Sequence, residues 1–261
     1  MAAKRAQSKS KAKPKTASRA VSPRRLDGQV AIITGGSRGI GYAIAAALAA
    51  EGCSVVITGR SAATLAASAK KLEQAGAGQV LREVCDVRDP DSVARLFARV
   101  RQRFGKLDIL VNNAGITQPV VSVADTTPEL WNDVIATNLT GMFLCTRAAL
   151  PLMRRGGTIL NNLSAGAVQV FPNYAAYSAA KRGGLAFTLS LREELIPRGI
   201  RVTALMPGAT ATDMWDQIMP NAPREKMIPP ESVAEAVLYA VLLPPSANLS
   251  EILLTPSCGA I

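Results

Sequence analysis

From Leu26 onward the chain alternates short apolar runs with longer stretches of helical spacing. Val30–Thr34, Ser54–Thr58, Val80–Val84, Asp108–Asn112, Thr158–Leu163, Ile200–Leu205 and Glu251–Thr255 predict strands. Ile40–Glu51, Ala62–Ala75, Asp91–Phe104, Glu129–Arg154, Tyr174–Pro197 and Glu231–Leu243 predict helices between them. Strands rich in Val and Ile on both faces, each followed by a helix, imply a parallel sheet covered on both sides. Right-handed crossovers then give a single-domain α/β doubly wound Rossmann fold, with a seven-stranded parallel sheet and helices on both faces. Nothing between residues 26 and 261 reads as a linker. In such a sheet ligands bind beyond the carboxyl ends of the strands, so the residues there are the candidates for chemistry.

Composition sharpens this in three ways. The net charge of +11 is uneven: residues 1–25 hold nine of the 30 basic residues and no acid, leaving 21 basic against 19 acidic in the body. The body is thus ordinary for a globular domain, and residues 1–25, without apolar periodicity, read as a basic disordered tail. That tail is open to three readings: a solubilising extension, a weak contact to polyanions, or an organelle transit peptide. The absence of histidine removes His triads, His bases and His-ligated metals, and no metal site is expected. Cys53, Cys85, Cys145 and Cys258 form no C-x-x-C pair and read as reduced thiols, consistent with a cytoplasmic setting. No apolar run approaches the ~18 residues of a membrane span.

The first predicted strand runs into TGGSRGIG, and a helix follows. Glycines there allow a tight turn and let a pyrophosphate approach N–H groups at a helix N-terminus. Gly35, Ser37, Arg38, Gly39, Ile40 and Gly41 are therefore candidate cofactor residues. At the end of the second strand, where an NAD site often has an acid for the ribose, stands Arg60. An arginine there suits a 2′-phosphate, with Arg38 adding charge, so NADP(H) is expected over NAD(H). Asp86 and Val87 end the third strand and suit the adenine. Asn112-Asn113-Ala114-Gly115 ends the fourth with small residues, which let a cofactor pass close; Asn113, Ala114 and Gly115 complete that wall.

The stretch NYAAYSAAKRGG holds two of the four tyrosines. Lys181 lies one helical turn from Tyr177 but nearly two from Tyr174, so Tyr177 is the candidate acid/base and Tyr174 a packing or pocket residue. A phenol of pKa ~10 needs a shift of ~2–3 units to work near neutrality. One cation about 4 Å away at an effective dielectric of ~20 supplies roughly that, so Lys181 is expected to lower it.

These motifs in this order, with Ser164 thirteen residues before Tyr177 and Lys181 four after it, resemble the short-chain dehydrogenase/reductase family over essentially all of residues 27–261. The resemblance implies an NADP-dependent oxidoreductase that moves a hydride between nicotinamide and a carbonyl or secondary alcohol. It implies catalytic roles for Asn138, Ser164, Tyr177 and Lys181, with Asn138 holding a water against Lys181, and nicotinamide contacts from Pro207, Gly208, Thr210 and Thr212. Taken alone, Ser164 also reads as a strand-end turn residue and Asn138 as a buried, helix-bending amide. Val168, Phe171, Tyr174, Met214 and Trp215, with Val170, Ile218 and Met219, suggest an apolar substrate wall and a lid over Ala209–Ile228. Such a wall favours a ketone or a 3-oxoacyl thioester. The chain resembles 3-oxoacyl reductases and general carbonyl reductases, but its end, EILLTPSCGAI, lacks the Asp-Gly-Gly common in the acyl reductases. The family also implies a homotetramer or dimer paired through Glu129–Arg154 and Tyr174–Pro197. A second hypothesis is a catalytically silent dinucleotide-binding regulatory protein with a polyanion-binding tail.

Overall fold

Seven parallel strands pair in the order β3-β2-β1-β4-β5-β6-β7. The computed structural model describes residues 24–75 and 78–259. In the first half, β1 (Val30–Ile33), α1 (Gly39–Ala50), β2 (Ser54–Gly59), α2 (Ala62–Gln74), β3 (Val80–Val84), α3 (Pro90–Phe104) and β4 (Leu107–Asn112) follow one another. The second half comprises α4 (Pro128–Ile135), α5 (Gly141–Ala149), β5 (Met153–Asn162), α6 (Ala175–Leu195), β6 (Arg201–Pro207), α7 (Pro230–Leu242) and β7 (Glu251–Leu254). The expected doubly wound fold is thus the observed one.

Alternation along the strands sorts the core into two layers. Ala31, Ile33, Val55, Ile57, Ile109 and Val111 pack against α1, α2 and α7. Val30, Ile32, Val56, Leu110, Ile159 and Val202 pack against α3, α5 and α6. The strand order reverses at the β1/β4 pair, which opens a crevice above their carboxyl ends.

Two expectations change. The single helix foreseen over Glu129–Arg154 is broken by a π turn at Ala136–Thr140, where the Gly141 N–H reaches back to the Ala136 carbonyl. Gly141 permits this: a β-carbon there would sit 2.7 Å from the Val87 side chain. The helix also ends earlier, because Pro151 lacks the N–H to continue it. β5 starts at Met153, not Thr158, and its pairing with β4 shifts register between Leu107 and Ile109, so Arg154–Gly157 is absorbed as a bulge. Most of the expected tail lies outside the described residues. Arg24 and Arg25 at its end are described, and Arg25 forks onto Glu51 of the folded body.

Candidate active site

A cleft of about 830 Å³ crosses the carboxyl ends of the strands. At one end lies the glycine turn. Gly39 has φ +54, a conformation that suits glycine, and Thr212 of the lid packs over it. A β-carbon on Gly41 would collide with the Asn113 amide and the Gly35 carbonyl. The first turn of α1 has no side-chain cap and no acid. Its N–H groups, at residues lining the cleft, remain donors for an anion.

Side-chain hydrogen bonds hold this turn from behind. Thr34 Oγ1 accepts from the main-chain N–H of Asn113 (2.9 Å) and of Ala114 (3.0 Å). The Asn113 side chain donates to the Thr34 and Gly35 carbonyls (2.9 and 3.2 Å) and accepts from Asn162 Nδ2 (2.8 Å). Asn113 thus shapes the seat with its amide. Thr34 entered the sequence reading only as the first residue of TGGSRGIG, and Asn162 was not singled out; the repeated Asn-Asn at the ends of β4 and β5 was the available signal.

Arg38 and Arg60 line the next part of the cleft, exposed, and neither is ion-paired among the described residues. Asp86 is nearby, but its carboxylate is already gripped by Arg88, whose Nε and Nη2 reach it at 3.0 and 2.7 Å. Hydrogen bonding to Arg88 holds the Asp86 carboxyl below its ordinary range. Arg88 also reaches Asp133 on α4 at 3.1 Å. Asp86 is therefore less free for an adenine than its position alone suggests. Arg88, one residue beyond Val87, was missed.

At the other end Ser164, Tyr177 and Lys181 come together on one wall. Lys181 is buried, donates to the Asn162 carbonyl (3.1 Å) and sits 5.4 Å from the centre of the Tyr177 ring. Burial lowers its pKa to about 8. Burial also raises the Tyr177 phenol above its ordinary value; hydrogen bonding with Ser164 pulls the other way, and Tyr174 adds to the rise. The lowering expected from Lys181 is thus not the net result, because loss of water around the phenol dominates. Tyr174 packs edge-on against Tyr177, ring centres 6.2 Å apart. Asn138 does not line the cleft. Buried behind it, its amide accepts from the Ile116 N–H (2.8 Å) and donates to the Ile116 carbonyl (2.9 Å).

Phe171, Tyr174, Met214, Trp215, Ile218 and Met219 line the lid end of the cleft. Val168 does not: it follows the short turn Ala165–Ala167 and lies outside the cleft, as does Val170, 80% exposed. Val120 and Gln169, not foreseen, take part instead. Pro207, Gly208 and Thr210 line the cleft floor beside the lid. The lid is tied down by a bridge between Thr210 and Ile228, by Trp215 Nε1 on the Thr210 carbonyl (2.9 Å), and by Arg224 on the Thr212 carbonyl (2.8 Å) and on Asp216.

Residues 29–223 match the family model described as short chain dehydrogenase. The chain belongs to the short-chain dehydrogenase family. Among relatives of this dehydrogenase, the 3-oxoacyl-(acyl-carrier-protein) reductase of Synechocystis sp. is 37% identical over 86% of this chain and 94% of its own. FabG of Escherichia coli, of the same description, is 37% identical over 82% of this chain and 90% of its own. Among solved structures, a short-chain dehydrogenase from Burkholderia cenocepacia in complex with NADP superposes with a TM-score of 0.81 at 33% identity, covering 89% of this chain and 98% of its own. A metagenomic short-chain oxidoreductase in complex with NADP gives 0.78 at 32% identity, covering 89% and 99%. No helix among the described residues is long and apolar enough to cross a membrane.

Proposed function

We propose that this short-chain dehydrogenase reduces the carbonyl of an apolar ketone or 3-oxoacyl thioester with NADPH, and runs the reverse oxidation of the alcohol. The observation that carries the reading is the meeting of Ser164, Tyr177 and Lys181 in the same cleft as an uncapped, glycine-lined helix N-terminus. The seat fits a dinucleotide: β-carbons at Gly39 and Gly41 would crowd Thr212, Asn113 and Gly35, and no side chain among the described residues caps the first turn. When bound, the nicotinamide supplies or takes up the hydride. The first turn of α1 would hold the pyrophosphate, Arg38 and Arg60 the 2′-phosphate, and Lys181 the ribose beside the nicotinamide. Two relatives of known structure were solved with NADP, which supports that choice of cofactor.

The chain's own part is to orient the substrate and move one proton. Ser164 donates to the reacting oxygen and Tyr177 protonates it as the alcohol forms. Burial favours the neutral phenol, so Tyr177 is poised as the proton donor when a carbonyl is reduced. Lys181, titrating at about 8, remains mainly a cation there and stabilises the phenolate left behind. Asn138 serves by pinning Ile116, which carries the chain from the cofactor wall toward α6. Trp131 and Phe143, exposed on α4 and α5, support the homo-oligomer that the family implies. The test is a panel of ketones, 3-oxoacyl thioesters and secondary alcohols with NADPH and NADH. Turnover of an apolar carbonyl with NADPH is expected; cofactor binding without turnover of any member would favour a silent binding protein.

A further inference from the structure

Helix α6 enters the cleft without a cap of its own, for Tyr174 at its start offers no side-chain hydrogen bond. First-turn N–H groups of a helix need acceptors from elsewhere. Gln118, only 1% exposed, brings one from 59 residues away: its Oε1 accepts from the Tyr177 main-chain N–H at 2.8 Å. Its Nε2 donates to the Asn173 carbonyl at 3.3 Å and to its neighbour Pro119 at 3.4 Å. Asn173 holds φ +64, and its carbonyl also takes the Val121 N–H at 3.1 Å. The amide of Gln118 therefore grips the chain on both sides of the start of α6.

The other end of the same segment is equally fixed. Asn113 and Ala114 are tied to Thr34 beside the glycine turn, and Ile116 is held at both its N–H and its carbonyl by Asn138. Residues 113–118 thus form a strap anchored at the glycine turn, at the π turn and, through Gln118, at the main chain of Tyr177. We propose that Gln118 is a positioning residue that sets the Tyr177 phenol against the cofactor seat. This rests on the activity proposed above. A shift in the first turn of α6 would carry the phenol with it, and misplacement of reacting groups by about 1 Å can cost ~100-fold in rate.

The test compares Q118M, which removes donor and acceptor at similar volume, with Q118E, which keeps an oxygen for the Tyr177 N–H in either protonation state. Amide hydrogen exchange at Tyr177 in the cofactor-free full-length protein reads the cap without reference to activity. Steady-state kinetics and NADPH binding by fluorescence read positioning. Q118M should lose protection at Tyr177 and drop kcat roughly tenfold to a hundredfold, with NADPH affinity little changed; Q118E should recover most of both. Unchanged Tyr177 exchange in Q118M overturns the proposal. So does a loss of kcat that tracks loss of thermal stability and NADPH affinity and is not recovered in Q118E. If Q118M does not fold, Q118E decides: near-normal kcat with Tyr177 protected supports the proposal, and a folded Q118E with kcat reduced like the variants of Tyr177 contradicts it. If the wild type turns over no substrate, the proposed activity fails, while the exchange result still decides whether the cap exists.

Discussion

At the glycine turn the cleft is walled by main chain and the side chains bonded to it: Thr34, Asn113 and Asn162 close a continuous set of hydrogen bonds across the ends of β1, β4 and β5. At the lid it is walled by side chains on a loop. Met214 and Met219 are 38% and 49% exposed, and Arg224 supplies much of the tie, partly to the exposed Asp216. The proposed cofactor seat is therefore set by backbone geometry, with glycine required where a β-carbon would collide. The proposed substrate end is set by apolar side chains carried on a loop. The first region is expected to be rigid and specific, the second adaptable.

The largest break in this contrast should come from Tyr177. Y177F keeps the ring and removes only the proton, so kcat should fall about 10²–10⁴-fold while NADPH binding stays near normal. Y174F, altering the ring packed against it, should keep most of the rate and show its loss in KM. The reverse pattern in steady-state kinetics would move the acid/base role to Tyr174.

Lys181 tests the cost of the chemical end in stability. In the folded protein it titrates at about 8, against 10.5 for the unperturbed group, so the folded state disfavours its charge. That cost is complete below pH about 8 and fades as pH rises toward 10.5, so this lysine makes stability climb over that window. K181M should abolish most turnover yet be more stable than the wild type at pH 7, by up to roughly 3 kcal/mol, less what the bond to the Asn162 carbonyl contributes. It should also lack the climb. Denaturant unfolding of both proteins between pH 7 and 10 checks this; a less stable K181M would show that the buried ammonium holds the site together.

R60D should move cofactor preference toward NADH by roughly tenfold to a hundredfold in relative kcat/KM, chiefly through KM for NADPH. Added salt should narrow the wild-type preference because Arg60 is exposed. The smallest effect is expected at the lid: R224A frees Thr212 and Asp216, and should change KM for bulky ketones a few-fold, with thermal stability shifted by about 1 kcal/mol or less.

The same contrast explains what could be read from the chain. All seven strands and the glycine turn were legible, because Val/Ile runs and Gly35, Gly39 and Gly41 report backbone requirements directly. Helical spacing placed Lys181 beside Tyr177, and the ammonium does lie 5.4 Å from the centre of that ring. The π turn at Ala136–Thr140 was legible only in part: ATNLT holds weak helix formers and Asn138 read as a buried, helix-bending amide, but its partner Ile116 is brought near only by the fold. Gln118 and Arg88 were hidden for a similar reason. Each sits in a loop whose composition is ordinary, and acts on a partner that only the fold brings near. Val168 was misplaced because apolar character beside Ser164 does not say which side of a turn faces the cleft.

The most direct test supplies the full-length protein with NADPH deuterated at the transferable position of the nicotinamide C4, together with an apolar ketone, and follows the label by mass spectrometry. Deuterium on the carbinol carbon of the product, lost in Y177F although NADPH still binds, is the expected result. NADPH binding with no deuterium transferred to any carbonyl by the wild-type protein would contradict the assignment and leave a dinucleotide-binding protein without this chemistry.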